Sequence, residues 1–494
     1  MRFEPRTLGG IKTTKAKFVR SNNALSHPAR LSSFALAWVW IVTILAATGS
    51  AAGQTKPLLL GLHVNHDSSW PVQVDFDLWR TLDSPSGTMW KDIQTGPDSF
   101  DFSRFDQELQ DAALANVEVM YTPIGVPGFI ASPVGYMPND DGPRTCACNY
   151  TVGGVNGCYP PKDINGDGSG TDATWQNFMI ALATHVHSNH VQNPDKYADI
   201  DYWESGNEFE SDPQQWCGSF AQLARMMQDE KAIVNKINPA AKVMTVAMAW
   251  YNLSDDYAYL NTKANVSQAQ TPAQLADIID YHCYVYGYKR PEIVIATLAK
   301  LIQLAESIPA AAGKPISCSE GGWIKTAPAT WTDAQNWLAR YLLSVSSTGV
   351  IDFNLFMYDN YIGNTSVGPA ALAALWAPST KYYCSIPASP GDFCLPEISW
   401  SRVYDWLEGV TFQAPCTSQR VADGNIWLCE HTSSGQYQTG EFVWYDTLDQ
   451  TREYRVPPGF TEEQDINGNI TSIFPGQSIS ISNSPILLMS FGKR

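Results

Sequence analysis

Between residues 57 and 360 the chain alternates short apolar runs with longer segments whose apolar residues recur every three or four positions. The short runs read as strands and the longer ones as amphipathic helices, the pattern of parallel strands joined by crossover helices. Eight strand-like runs stand out: Leu58 to Asn65, Leu78 to Leu82, Val117 to Pro123, Ile200 to Gly206, Lys242 to Ala247, Ile278 to Tyr284, Pro315 to Glu320 and Val350 to Tyr358. Helical patterns fall at Phe102 to Ala115, Trp175 to Asn189, Trp216 to Asn235, Pro291 to Glu306 and Thr332 to Ser347, the last opened by Thr332-Asp333, which suits an N-cap. Eight such repeats predict an α/β fold, a (β/α)8 TIM barrel, with its active site at the C-terminal ends of the strands.

After Tyr358 the texture changes to Gly, Pro, Ser and Cys clusters through Pro396, then to a helix-like stretch from Ile398 to Leu407. From Val410 onward, runs such as Gly424 to Glu430, Gly440 to Asp446 and Ser478 to Ser482 alternate with turn signals, Asn467-Gly468 among them. That pattern predicts a C-terminal all-β sandwich domain. The expected organisation is a barrel over 53–397, then a connector helix and sandwich over 398–494.

Residues 1–52 differ from both. They carry seven Lys/Arg against one acid, Glu4, and an apolar run from Phe34 to Ala47 that ends in Thr48-Gly49-Ser50-Ala51-Ala52. The run is shorter than the roughly 18–20 residues of a membrane span, and the small residues suit a signal peptidase, so we expect a signal peptide cleaved near Ala52. The long basic stretch leaves an uncleaved membrane anchor as the alternative. Removing a net 7 − 1 = +6 takes the formal charge from −17 to −23. So acidic a chain excludes nucleic acid as a natural partner, and no pattern points to an obligate protein partner.

Ten cysteines behind such a segment point to an oxidising compartment, extracellular or periplasmic. Spacing invites pairing of Cys384 with Cys394, Cys416 with Cys429, and Cys158 with Cys146 or Cys148. Cys283 and Cys318, on expected strands, are read as buried free thiols. No zinc-type spacing joins the cysteines to histidines. Asp163-Ile164-Asn165-Gly166-Asp167-Gly168 copies the opening of a calcium loop, but position 12 is Thr174, so an Asx-rich turn is the expectation. Asn-x-Ser/Thr sites at Asn149, Asn252, Asn265, Asn364 and Asn469 would matter only in a glycosylating host.

Two carboxylates carry the candidate chemistry. Asn207-Glu208 closes the fourth strand-like run, in Tyr202-Trp203-Glu204-Ser205-Gly206-Asn207-Glu208. Glu320 closes the seventh, in Ile316-Ser317-Cys318-Ser319-Glu320-Gly321-Gly322-Trp323. Alone, an Asn-Glu pair is usually a helix start and a Glu-Gly-Gly a turn; at two strand ends of one barrel they become candidate active-site groups. Cleavage of a glycosidic bond with retention needs such a pair, an acid on the leaving oxygen and a nucleophile about 5–5.5 Å away.

Asn-Glu at strand four with Glu at strand seven resembles the clan A retaining glycoside hydrolases, and the contexts of Arg80, Trp203-Glu204 and Val119 to Phe129 resemble family 39 and its neighbours. The resemblance covers most of residues 57–360. It implies Glu208 as acid/base, Glu320 as nucleophile, Asn207 as a contact to the sugar 2-hydroxyl and Arg80 as the partner that keeps the nucleophile ionised. His282 and Tyr284, two apart in Asp280-Tyr281-His282-Cys283-Tyr284, point one way from strand six, toward the nucleophile and the substrate. Trp323, Trp203, Tyr358 and Trp70 are candidate stacking platforms for the apolar faces of a pyranose, and His63 at the end of strand one is a further binding candidate. Strand eight departs from the clan pattern, offering Phe353, Phe356 and Tyr358, with Trp376 beyond, where many members have a tryptophan. The expectation is a secreted retaining glycosidase acting on a β-linked oligosaccharide or polysaccharide, without metal or organic cofactor. A non-catalytic carbohydrate-binding or cell-surface barrel protein, and a transglycosylase using the same residues, are the alternatives.

Overall fold

The structure, a computed structural model, describes residues 58–491 except 65–69, 83–86, 138–141, 149–150, 153–154, 210–214, 250–251, 287–289, 325–330, 359–394 and 435–436. The signal segment, Cys384, Cys394, Trp376, Asn149 and Asn364 lie outside the described residues.

Eight parallel staves form the barrel. They are β1 (Leu59–Leu62), β2 (Leu78–Thr81), β3 (Glu118–Tyr121), β4 (Tyr202–Glu204), β5 (Lys242–Met244, resuming at Met248–Ala249), β6 (Ile279–His282), β7 (Ile316–Gly321) and β8 (Asp352–Leu355). Each pairs with the next in sequence. A parallel bridge from Met244 to Ile278 joins β5 to β6, and β8 returns to β1 to close the ring. Closure removes every open edge.

The crossovers are α1 (Ser103–Ala115), α2 (Ala173–Gln192), α3 (Phe220–Ile237), α4 (Leu253–Asn261), α5 (Ile293–Ser307) and α6 (Trp331–Ser346). The pattern predicts α3 from Trp216, but it starts at Phe220. There the Ser219 hydroxyl accepts from Gln222 N, and the Gln222 side chain accepts from Ser219 N. This capping box satisfies two amides that would otherwise be orphaned at the helix start.

Period-2 alternation sorts the strand residues into an outer face under the helices and an inner face that fills the barrel. Leu59, Leu78, Met120, Tyr202, Met244 and Ile278 form an apolar plug at one end. Two residues further along the same strands stand Arg80, Thr122, Glu204 and Asp280, and beyond Asp280 comes His282. The barrel axis thus runs from an apolar floor to a charged upper layer at the C-terminal ends.

The calcium-like loop folds as an Asx-rich turn. Asp163 accepts from Thr174 N at 3.0 Å and Thr174 Oγ1 at 2.6 Å, tying the loop to the first turn of α2, and Asp167 accepts from Ser169 N and Asn265. The carbonyls of Gly170 and Thr171 accept from the Arg225 guanidinium at 3.0 and 3.1 Å, and Arg225 is itself paired with Asp229. A cation built into α3 thus occupies the carbonyl cradle.

After α7 (Leu395–Leu407), a seven-stranded antiparallel sheet is built around Gly424–Ser433, Tyr437–Tyr445 and Ile486–Phe491. Its second layer is only a two-stranded ribbon, Arg452–Arg455 with Ser478–Ile481, and Val443, Ile479, Ile481 and Leu488 fill the space between. On the other face Trp400, Trp406, Phe442 and Trp444 belong to the same apolar cluster as the barrel helices. Buried Arg340 on α6 pairs with Glu292 at 2.6 and 2.9 Å, and Glu292 accepts from Trp444 Nε1 at 2.7 Å.

Four disulfides lie among the described residues: Cys146–Cys217, Cys148–Cys158, Cys283–Cys318 and Cys416–Cys429. They fit an oxidising compartment. Cys416–Cys429 and Cys148–Cys158 are pairings that spacing suggests. The free-thiol expectation for Cys283 and Cys318 is overturned: Cys283 lies just past β6 and Cys318 within the neighbouring β7, with Cα atoms 5.8 Å apart, within bridging reach. Cys146–Cys217, across 71 residues, has no local signal. No described helix is long and apolar enough to cross a membrane.

Candidate active site

Glu320 reaches the barrel mouth through an irregularity in β7. Asp280 pairs with Ser317 but His282 pairs with Glu320, so β7 spends one extra residue over that interval. Such a bulge re-aims the side chains that follow it. Glu208 arrives differently: after Gly206 at φ 144°, it adopts a left-handed φ of 41°, while its amide donates to Ala247 O at 2.9 Å. A non-glycine residue in that region is a local strain held by its surroundings, of the kind that concentrates at functional sites.

Between them lies His282. Its Nδ1 is 2.6 Å from Glu208 Oε1, and its Nε2 is 3.6 Å from Glu320 Oε2, outside hydrogen-bond reach. One oxygen of each glutamate and a ring nitrogen of His282 all fall within 4.8 Å of one another. Burial by itself would lower the His282 pKa, but the charges of Glu320 and Glu208 outweigh it and the pKa is raised.

Both Glu320 oxygens are engaged. Arg80 Nη1 donates to Oε2 at 2.7 Å, and the Tyr284 hydroxyl donates to Oε1. Burial, with Glu320 beside it, keeps the Tyr284 phenol pKa well above its usual value, so it remains a donor. Arg80 is wholly buried. Burial alone would lower its pKa, yet Glu204 and Glu320 more than offset this and it stays charged. Its Nη2 also donates to Asn207 Oδ1 at 2.8 Å, which leaves the Asn207 –NH2 as that side chain's donor.

His63 is 1 % exposed, set edge-on against Phe356 at 4.9 Å. Burial first, then Arg80, push its pKa down to about 3, so it is a neutral imidazole.

The expected residues Glu208, Glu320, Asn207, Arg80, His282, Tyr284 and His63 therefore gather at one end of the barrel. Two expected sugar platforms do not. Trp203 is 2 % exposed and packs edge-on against Tyr121 in the layer between sheet and helices, because strand parity turns it outward when Tyr202 and Glu204 turn in. Tyr358 is fully buried, its hydroxyl accepting from Gln73 N at 3.2 Å. Neither offers a face to a sugar. Trp70 packs at 4.5 Å against Trp79, and the Trp323 backbone pairs with Val285 just past the nucleophile candidate, its side chain lying outside the description. Phe356, against His63, is the strand-eight aromatic at the site.

Sequence reasoning missed Glu204 and Asp280, which lie directly beneath. Glu204 accepts from Arg80 at 2.7 and 3.1 Å, from Thr122 and from Ser319 at 2.8 Å. Burial would raise its pKa, but Arg80 prevails and holds it at about 2. Asp280 is pushed well above the carboxylate range, by burial first and then by Glu204. The signal was available, as charged residues at inward positions inside otherwise apolar strands.

No protein-family model matches the chain, and no curated protein matches it. Solved structures do match in fold. A family 39 glycoside hydrolase from the gut symbiont Bacteroides cellulosilyticus WH2 superposes with a TM-score of 0.57 at 14% identity, covering 88% of this chain and 81% of that one. A family 39 β-xylosidase from Caulobacter crescentus matches at 0.54 and 10% identity, with 88% and 96% covered. An α-L-arabinofuranosidase from Thermotoga maritima matches at 0.54 and 10%, with 85% and 88% covered. The chain shares the fold of these glycosidases, a TIM barrel followed by a β domain.

Proposed function

We infer that the protein is a retaining glycoside hydrolase, and one observation carries the inference: Glu208 and Glu320 each bring a carboxylate oxygen within 4.8 Å of the other. That spacing suits direct attack by one carboxylate, whereas inversion needs about 6.5–9.5 Å to admit a water. The fold shared with glycosidases supports the same reading.

In the first half-reaction a Glu320 oxygen attacks the anomeric carbon. The bond to the leaving oxygen breaks, and Glu208 delivers its proton to that oxygen. Tyr284 and Arg80 orient the attacking carboxylate, and His282 holds Glu208 in place at 2.6 Å. In the second half-reaction water attacks the glycosyl ester while Glu208 takes its proton, which restores both side chains. Asn207, oriented through its oxygen by Arg80, donates to the sugar 2-hydroxyl. The substrate class is an oligosaccharide or polysaccharide with a β-linkage, met outside the cytoplasm after loss of residues 1–52.

The test uses a panel of aryl glycosides. Glu320→Gln should abolish turnover, and Glu320→Gly with azide should release a glycosyl azide of inverted configuration. Full activity in either variant, without azide, refutes the assignment.

A further inference from the structure

We propose that Glu204 is a positioning residue that anchors the Arg80 guanidinium from below and shares its charge with Glu320. The proposal rests on the function inferred above for its kinetic arm alone.

Arg80 has its donors divided among three acceptors. Nε and Nη2 go to Glu204, Nη2 also to Asn207, and Nη1 to Glu320. The guanidinium is planar and rigid, so fixing one edge on Glu204 fixes the direction in which Nη1 points. Glu204 is itself held from several sides, Oε2 by Arg80 and Thr122 and Oε1 by Ser319. It is fully buried, so it has no contact to make with a sugar and acts only through Arg80. Asp280 and Ser319 tie the anchor to β6 and β7, since Ser319 N donates to Asp280 Oδ1 at 3.2 Å.

Charge matters as much as direction. A guanidinium paired with Glu320 alone would cancel the nucleophile's charge. Here one Arg80 faces two carboxylates, Glu204 and Glu320, with Asp280 beside them kept in its neutral form. Among these four groups the charges sum to one negative, so Arg80 does not by itself neutralise both carboxylates. The arrangement gives the nucleophile hydrogen bonds for orientation without full neutralisation.

The test combines a double-mutant cycle with a spectroscopic signature, on the full chain. Glu204→Ala should lower kcat about 100-fold, the cost of misplacing a catalytic contact by about an ångström, with KM changed less than about threefold. Glu204→Gln, which keeps the shape and one acceptor, should fold normally and lower kcat roughly tenfold. In an Arg80→Met background, Glu204→Ala should cost less than about threefold more, because its effect passes through Arg80. Independent, multiplicative losses would overturn the proposal.

The substrate-free arm is the Arg80 Nε–H resonance in a 15N-labelled protein, assigned by its loss in Arg80→Met. It should exchange slowly in the wild type and become fast or vanish in Glu204→Ala. A resonance that is unprotected in the wild type, or unchanged in the variant, refutes the anchor. Should the wild type cleave no glycoside, the proposed function fails while this arm still decides the role of Glu204.

Discussion

Glu230 gives the sharpest test of the barrel's electrostatics. It lies on α3, fully buried, under the β4 end that carries Asn207 and Glu208. Burial pushes its pKa up to about 8; the charge of Glu204 adds to this, while Ser205 and Lys231 pull the other way. In the unfolded chain the group titrates near 4.5. Between those values the folded state holds a proton that the unfolded state has lost, so stability must fall as pH rises from about 4.5 through about 8. Over 8 − 4.5 = 3.5 pH units, at about 1.36 kcal/mol per unit, the loss approaches about 5 kcal/mol. Glu230→Gln, which mimics the protonated acid, removes that dependence. With an unfolding entropy of about 2.1 cal/mol/K per residue over residues 58–491, 5 kcal/mol corresponds to about 5 °C. The assay is thermal unfolding of both proteins at matched scan rate from pH 5 to 9. The variant should nearly match the wild type at pH 5, gain steadily up to about pH 8 and level off above it, about 5 °C higher at pH 9. Parallel curves would mean that Glu230 ionises freely in the fold.

Two further outcomes follow from buried cations. Arg225→Met should lower the melting temperature, because leaving the loop carbonyls and the half-buried Asp229 without their donor costs about 1–3 kcal/mol. Calcium should not restore it, and a chelator should leave the wild-type melting temperature and turnover unchanged; a calcium-dependent rise would return the 163–174 loop to the metal-binding class. Arg340→Met should destabilise by about 3–5 kcal/mol, whereas Arg340→Met with Glu292→Gln should recover most of the loss, since no buried charge remains unpaired and the amide oxygen still accepts from Trp444 Nε1. Equal losses in single and double variants, measured by urea unfolding, would refute that account.

Much of the barrel was legible because its signal is periodic. Eight apolar runs gave eight staves, and strand parity placed His282 and Tyr284 toward Glu320, where Tyr284 donates to it. The same parity, applied to β4, would have excluded Trp203 as a platform and exposed Glu204 as an inward charge. Tyr358 failed for another reason: beyond the end of β8 the chain leaves the alternating geometry, and its hydroxyl turns to Gln73. The bulge that aims Glu320 and the left-handed turn at Glu208 depend on neighbouring strands, which no local pattern encodes. The Cys146–Cys217 bridge is equally non-local, joining the loop after β3 to the one after β4.

The apolar cluster that runs from the barrel helices into Trp400, Trp406, Phe442 and Trp444 bears on how this architecture can be inherited. A segment cut near residue 398 would leave each piece with a wet aromatic face, and the half bearing Trp444 would lose the Glu292 acceptor of its indole. Recombination at that point would uncover apolar surface on both pieces. The β domain should therefore be replaceable only together with the barrel surface it covers, and the shift in texture near residue 398 marks a change of architecture within one continuous core.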